Sequence, residues 1–272
     1  MLAPYRGLSL RYGCDPAKLS PSLRARFLEL SLDPATRAWI DAAYAKPTSP
    51  LRLAARQAAR SLVGDYDANA LFDTHDMRVL GREQWGLLVG DASALRWLDV
   101  GAGDGRVASE IRAVAREVVT TETSARMAAR LRERGFVCHE TDLVARPFPT
   151  DERFDVVSAL NVIDRTSKPY SLIERMIERL SPGGLLVLAA PLPLSPHVHV
   201  GASTVDPDEL LPIDRRSFEE AATTLVELAL APLGLELVAF CRVPYLSRGD
   251  KTCPVYVLDD CVLVLRVRAQ SA

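Results

Sequence analysis

The stretch LRWLDVGAGDG, residues 95–105, decides the fold of this chain. Leu95, Trp97, Leu98 and Val100 give a short apolar run suited to a parallel strand buried on both faces. Gly101-Ala102-Gly103-Asp104-Gly105 then makes a glycine-rich turn, and an amphipathic segment begins at Arg106. Strand, glycine turn and helix together let backbone N–H groups approach a ligand closely. The spacing is D-x-G-x-G-x-G. It is neither the dinucleotide G-x-G-x-x-G nor, without G-K-[ST], a nucleoside triphosphate loop.

Working outward, strand and helix alternate after residue 95. Strands are expected at 95–100, 117–121, 136–139, 154–160 and 185–190. Helices are expected at 104–115, at 124–134 with Ser124 as N-cap and Gly135 closing it, and at 170–180, stopped by Ser181-Pro182-Gly183-Gly184. A helix at 215–231 and strands at 235–243 and 255–267 follow. This is the pattern of a doubly wound α/β sheet that binds ligands at the carboxyl ends of its strands. Asp99 with its glycine spacing resembles motif I of class I S-adenosylmethionine (SAM) methyltransferases, which implies a Rossmann-like seven-stranded sheet, its last strands antiparallel, and SAM as cofactor.

Residues 1–92 show no strand pattern. Residues 21–32 read as helical. Asp33-Pro34 opens a second helix through Tyr44, 46–50 is a linker, and 51–63 is an alanine- and arginine-rich helix. The region reads as a helical N-terminal extension packing on a catalytic domain at 93–272.

Composition excludes several classes. The 272 residues carry a net charge of −2, so no basic field points to nucleic acid. The arginines from Arg126 to Arg134 read as a solvated helix face. Five dispersed cysteines without C-x-x-C suggest neither a zinc site nor a disulfide framework, and no metal is expected. No apolar run reaches the ~20 residues of a membrane span. Reduced thiols point to an intracellular, cytoplasmic setting. The acid-free start, with Arg6 and Arg11, leaves a mitochondrial or endoplasmic-reticulum address open.

The strand ends supply the candidate site. Gly101 and Gly103 let the backbone approach the methionine end of SAM, and Asp99 either holds the glycine turn or meets the amino acid. Glu122, 23 residues after Asp99, is placed for the ribose hydroxyls. Asp142 is a candidate for the adenine amino group, or is simply a loop carboxylate in water, and Leu143 would pack on the ring. After strand four, Asn161 and Asp164 lie three apart, which a helical turn would put on one face, or they are capping residues.

The blocks LDVGAGDG, TETS, LNVIDR, RVPYLSRGD and YVLDDCVLVLRV resemble the methyltransferase-like protein 9 (DREV) family over 95–267. That resemblance implies transfer of a methyl group from SAM to histidine Nπ in His-x-His motifs of protein substrates, by a monomer. It implies that Asn161, Asp164 and Tyr256 are catalytic, and that Asp99, Gly101, Gly103, Glu122 and Asn161 belong to the cofactor site. Asp164 would accept the Nτ–H and leave Nπ bare, as the aspartate orients histidine in a Ser-His-Asp triad. A small-molecule SAM methyltransferase, or a non-catalytic scaffold of the same fold, shares most of these residues. His197-Val198-His199 is itself a His-x-His, read as two exposed loop histidines, with automethylation, substrate mimicry or metal binding as the other readings. Asp259-Asp260 either caps the last strand or binds substrate.

Overall fold

The computed structural model describes residues 3–4, 10–74, 76–196, 198–200, 203–214 and 216–268. His75 and His197 lie outside the described residues, as does the side chain of His199.

The extension contains β1 (Ala3–Pro4), α1 (Pro21–Arg24), α2 (Pro34–Ala45), α3 (Pro50–Val63), α4 (Asp65–Phe72), β2 (Met77–Arg78) and α5 (Arg82–Val89). The parallel strands are β3 (Arg96–Val100), β4 (Glu117–Glu122), β5 (Val137–Glu140), β6 (Phe154–Leu160) and β7 (Leu180–Pro191). Between them run α6 (Arg106–Arg112), α7 (Ala125–Glu133) and α8 (Pro169–Glu178). A hairpin of β8 (Val198–Val200) and β9 (Ser203–Val205) follows, then α9 (Phe218–Thr224), β10 (Leu235–Arg248) and β11 (Val255–Val267). The sheet order is β2-β10-β11-β7-β6-β3-β4-β5, with β1 paired to β11. The class I methyltransferase arrangement is therefore present: five parallel strands with β3 in the middle, then β11 and β10 antiparallel.

The sheet exceeds the expected seven strands because the extension supplies β1 and β2, two residues each, where no strand was expected. Met77–Arg78 pairs with Leu246–Ser247 on the outer edge of β10. The same edge corrects the helix expected at 21–32, which stops at Arg24. Phe240 N–H donates to Arg26 O at 3.0 Å, and Leu28 N–H donates to Phe240 O at 2.8 Å. An open sheet edge offers unpaired backbone groups, and covering it outweighs a short helix's own propensity.

Several boundaries move for local reasons. Strand β7 starts at Leu180 and carries Ser181-Pro182-Gly183-Gly184 as an irregularity, with Phe154 opposite Leu180 but Val156 opposite Leu185. Strand β10 runs on to Arg248, through Pro244, since register with β11 holds to Arg248–Val255. The helix expected at 215–231 is α9, followed by a π-turn (Leu225–Leu230) and a 3₁₀ turn (Ala231–Leu233). Asp33 does cap α2, accepting from Thr36 N–H at 2.8 Å, and Ser124 caps α7, accepting from Met127 N–H at 3.1 Å.

Period-two alternation sends β3 residues to opposite faces. Leu98 and Val100 join Leu172, Ile173 and Met176 of α8 in one core layer. Trp97 joins Trp85 and Leu88 of α5, Ile111 of α6 and Leu131 of α7 in the other. The extension thus shares the sheet's core. Arg78, buried, donates to Thr36 Oγ1 and Glu110 Oε1, both at 2.8 Å, and ties α2 and β2 to α6. All five cysteines are free thiols, and no described helix is long and apolar enough to cross a membrane.

Candidate active site

A cavity of about 680 Å³ opens at the carboxyl ends of β3, β4 and β6. Its wall includes Asp99, Gly101, Gly103, Glu122, Asp142, Leu143 and Asn161, seven of the residues singled out from the sequence. It also includes Arg56 and Arg60 of α3, Tyr66 and Asn69 of α4, Arg165 after β6, and Tyr245, Ser247 and Leu258 of the β10–β11 pair.

The glycine turn needs its glycines for two different reasons. Gly101 has φ +68, and a Cβ there would lie 2.8 Å from Val162 Cγ2. Gly103 has φ +58, and a Cβ there would meet nothing within 4 Å. One glycine lets the turn after β6 close against the loop; the other leaves the cavity open. Gly103 N–H donates to Glu122 Oε2 at 2.9 Å. Glu122 Oε1 accepts from Thr123 N–H at 2.8 Å and Ser124 N–H at 3.1 Å. Of the two roles open to Asp99, holding the glycine turn is performed by Glu122.

Asp99 is instead fixed from the sheet. Trp97 Nε1 donates to Ser158 Oγ at 2.8 Å, and Ser158 Oγ donates to Asp99 Oδ1 at 2.6 Å. Burial raises the Asp99 pKa to about 7, against the lowering effect of the Ser158 hydroxyl and with a further push from Glu122. Asp142 is exposed, and its Oδ1 accepts from Val144 N–H at 2.8 Å, so it braces its loop while lining the cavity.

The turn after β6 forms the opposite wall. Asn161 takes φ +59, in the left-handed region that asparagine tolerates better than most side chains. Its N–H donates to Ala189 O of β7 at 2.9 Å. Its Nδ2 donates to Asp260 Oδ2 of β11 at 2.8 Å, while its own Oδ1 is buried without a hydrogen-bond donor among the described residues. Val162 O accepts from Arg165 N–H and Thr166 N–H, so a turn over residues 162–166 holds Asp164, while the left-handed Asn161 stands before that turn rather than within it. Capping is excluded, because α8 starts only at Pro169. Asp164 is buried behind the cavity wall, 3.7 Å from Arg165 Nε. Burial disfavours the Arg165 cation, but Asp164 beside it raises its pKa overall.

Tyr256 is placed differently. It shares a strand face with Leu258 and Asp260, opposite Ser247, but stands toward the β10–β11 turn, where its ring packs on Gly249. It does not reach the cavity wall, and its phenol pKa is raised chiefly by burial. Two further residues matter here, Asp260, which the sequence left between a strand cap and a substrate contact, and Tyr245, to which it gave no role. Asp260 is fully buried and bonded to Asn161, while Asp259 pairs with Arg242 at 2.7 Å. Tyr245, within RVPYLSRGD, lines the cavity and donates its hydroxyl to Met77 Sδ of β2. The period-two register of two adjacent strands would have placed both on the pocket face, had β10 been drawn to its full length.

The model of the DREV methyltransferase family matches residues 11–267. The chain belongs to that family. It is a SAM-dependent methyltransferase, and the cavity suits that cofactor: Gly103 leaves room for close approach, Glu122 supplies a carboxylate, and Leu143 an apolar wall. Solved structures similar to the DREV chain are distant. The N-methyltransferase NodS of Bradyrhizobium japonicum WM9, in complex with S-adenosyl-L-homocysteine, is 18% identical with a TM-score of 0.45, over 69% of this chain and 87% of that one. A putative methyltransferase of Bacillus halodurans C-125 is 14% identical with a TM-score of 0.48, over 69% and 99%. TehB of Haemophilus influenzae is 15% identical with a TM-score of 0.46, over 69% and 61%.

Proposed function

We propose that the chain is a monomeric protein-histidine methyltransferase, acting at Nπ of histidine in His-x-His segments of protein substrates. The observation that supports this best is the turn after β6: the buried Asn161 oxygen at the cavity wall, with Val162 of the same turn against Gly101 and Asp164 buried two residues on. SAM, when bound, supplies a methyl group already electrophilic on a sulfonium. The protein's task is then to orient the nucleophile. Neutral imidazole has an ordinary pKa of ~6.5 and at pH 7 already carries a lone pair. Asp164 accepts the Nτ–H, which places the lone pair on Nπ and stabilises the positive charge that develops on the ring. Asn161 holds the ring plane. Tyr256, farther out on the same strand face, meets the substrate chain.

The N-terminal helices form the remaining wall, through Arg56, Arg60, Tyr66 and Asn69. They are the surface over which a peptide enters in this reading.

The test is incubation of the protein with SAM and a peptide containing Ala-His-Ala-His, followed by total hydrolysis and separation of π- from τ-methylhistidine. Wild type should yield the π isomer. Asp164→Ala should lose about 10²–10⁴-fold in rate, the range for removing a group that positions a proton. S-Adenosyl-L-homocysteine (SAH) affinity should hold in the variant. Methylation of free histidine or another small imidazole, with the peptide untouched, would favour the small-molecule reading. The same hydrolysis of protein incubated with SAM alone would show whether His197 or His199 is modified.

A further inference from the structure

We propose that Asp260 is a positioning residue of the transfer site, holding the Asn161 side-chain amide by its NH₂ so that the amide oxygen faces the acceptor. The inference rests on the proposed function only for the peptide used in the kinetic assay.

An asparagine amide has two ends of similar shape, and only its partners decide which end points where. The backbone of Asn161 is pinned first: left-handed φ, with its N–H on Ala189 of β7. That leaves the amide with one rotational choice. Asp260 Oδ2 is the acceptor that Nδ2 meets at 2.8 Å, and that contact selects the NH₂ end. The oxygen end is then the group left over, buried at the cavity wall with no donor among the described residues. A buried acceptor without a donor is unfavourable, and a bound acceptor's N–H satisfies it.

Asp260 suits this role by position. It lies on β11, opposite Pro191 of β7 and Val243 of β10, completely buried. Two strands therefore fix one amide: the turn after β6 supplies the residue, β7 binds its backbone and β11 binds its side chain. Burial raises the Asp260 pKa well above the ordinary value, the Asn161 hydrogen bond opposes that rise, and Asp164 adds to it. A carboxylate kept there against its desolvation needs a purpose. Capping the strand does not supply one, because Asp260 lies within β11.

The decisive variants are Asp260→Asn and its pairing with Asn161→Asp. An amide at position 260 can donate to Asn161 Oδ1 and capture the oxygen end. In the double variant the amide at 260 donates to the carboxylate at 161, whose second oxygen again faces the cavity. Expected for Asp260→Asn is a fall in kcat of at least tenfold with π-methylation of the peptide, with SAH affinity by calorimetry and the melting temperature retained. The double variant should recover to within about threefold of wild type. A kcat within twofold of wild type for Asp260→Asn overturns the proposal, as does failure of the folded double variant to recover.

A second readout needs no acceptor. In ¹⁵N-labelled wild type the Asn161 side-chain NH₂, assigned by its loss in Asn161→Asp, should exchange at least tenfold more slowly than in Asp260→Asn. Equal exchange rates overturn the proposal. Wild-type protein that leaves the peptide unmodified defeats the histidine reading alone, and the NH₂ exchange then decides the role of Asp260.

Discussion

The two walls of the cavity are built on opposite terms. On the glycine-loop wall, the polar groups are met from within: Glu122 accepts three backbone N–H groups and Asp99 takes the Ser158 hydroxyl. On the wall after β6, Asn161 is pinned at its backbone and its NH₂, yet keeps a buried oxygen without a donor among the described residues. Satisfied groups give a rigid cradle whose shape precedes its ligand. An unsatisfied buried acceptor is stable only while the surrounding strands enforce it, and it marks where a ligand's donor belongs. In the proposed function the first wall holds the methyl donor, and the second selects and orients the methyl acceptor.

The largest effect should come from the variant that breaks this contrast from the second side. Asp164→Ala should cost about 10²–10⁴-fold in transfer and leave SAH affinity within about twofold. A matching loss of SAH affinity would show that the two walls do not divide their work.

Next in size is the point where the walls touch. Gly101→Ala combines a positive φ, costing about 1–2 kcal/mol for an L residue, with a Cβ 2.8 Å from Val162 Cγ2. Overpacking of this kind adds roughly 1–3 kcal/mol. Because Val162 sits in the same turn as Asn161 and Asp164, the variant should lose SAH affinity and turnover together, and melt lower. Gly103→Ala sharpens the comparison. It has a similar φ but no atom within 4 Å, so it should lose only the conformational ~1–2 kcal/mol in stability. Its methyl would stand in the cavity, so SAH affinity should fall while the Val162 turn is undisturbed. Equal melting losses for the two glycine variants would remove the packing argument at Gly101.

The first wall was the more legible in the sequence, for a physical reason. Its parts are local: an apolar strand, glycines with positive φ, and a carboxylate at the end of the next strand. Local spacing records such parts directly. Asn161 and Asp164 were visible as a pair, though spacing alone left them between a site and a helix cap. Asp260 was marked only as a cap or a substrate contact, and its bond to Asn161 was not legible, since the two lie 99 positions apart and meet only once β11 runs beside β7. The extension misled for a related reason. Residues 26–28 and 77–78 have no strand pattern of their own and become extended against an edge formed by β10, far along the chain. Tyr256 shows the reverse case. The family resemblance named it, and the structure sets it beyond the cavity wall, toward the hairpin turn.

The smallest expected effect tests the first wall by pH. The Asp99 pKa is about 7 in the folded protein, raised by burial, against an ordinary value near 3.9. Below pH 7 the carboxyl is protonated in the folded chain and cannot pair with the ammonium of SAH. Above pH 7 it is ionised, and pairing is available. SAH affinity should therefore rise with pH through about 7 and level off above it, with a slope of at most tenfold per pH unit on the acid side. The unliganded fold has the opposite sign. The native state holds this proton between about pH 4 and 7 while the unfolded chain does not, so Asp99 makes the fold less stable as pH rises through that window. Calorimetry of SAH binding from pH 5.5 to 8.5, with Asp99→Asn alongside, separates the two: the variant should bind SAH more weakly at pH 8, with a flatter profile. A wild-type profile as flat as the variant's would mean that Asp99 meets no cation on binding, and that its burial serves the Trp97–Ser158 chain alone.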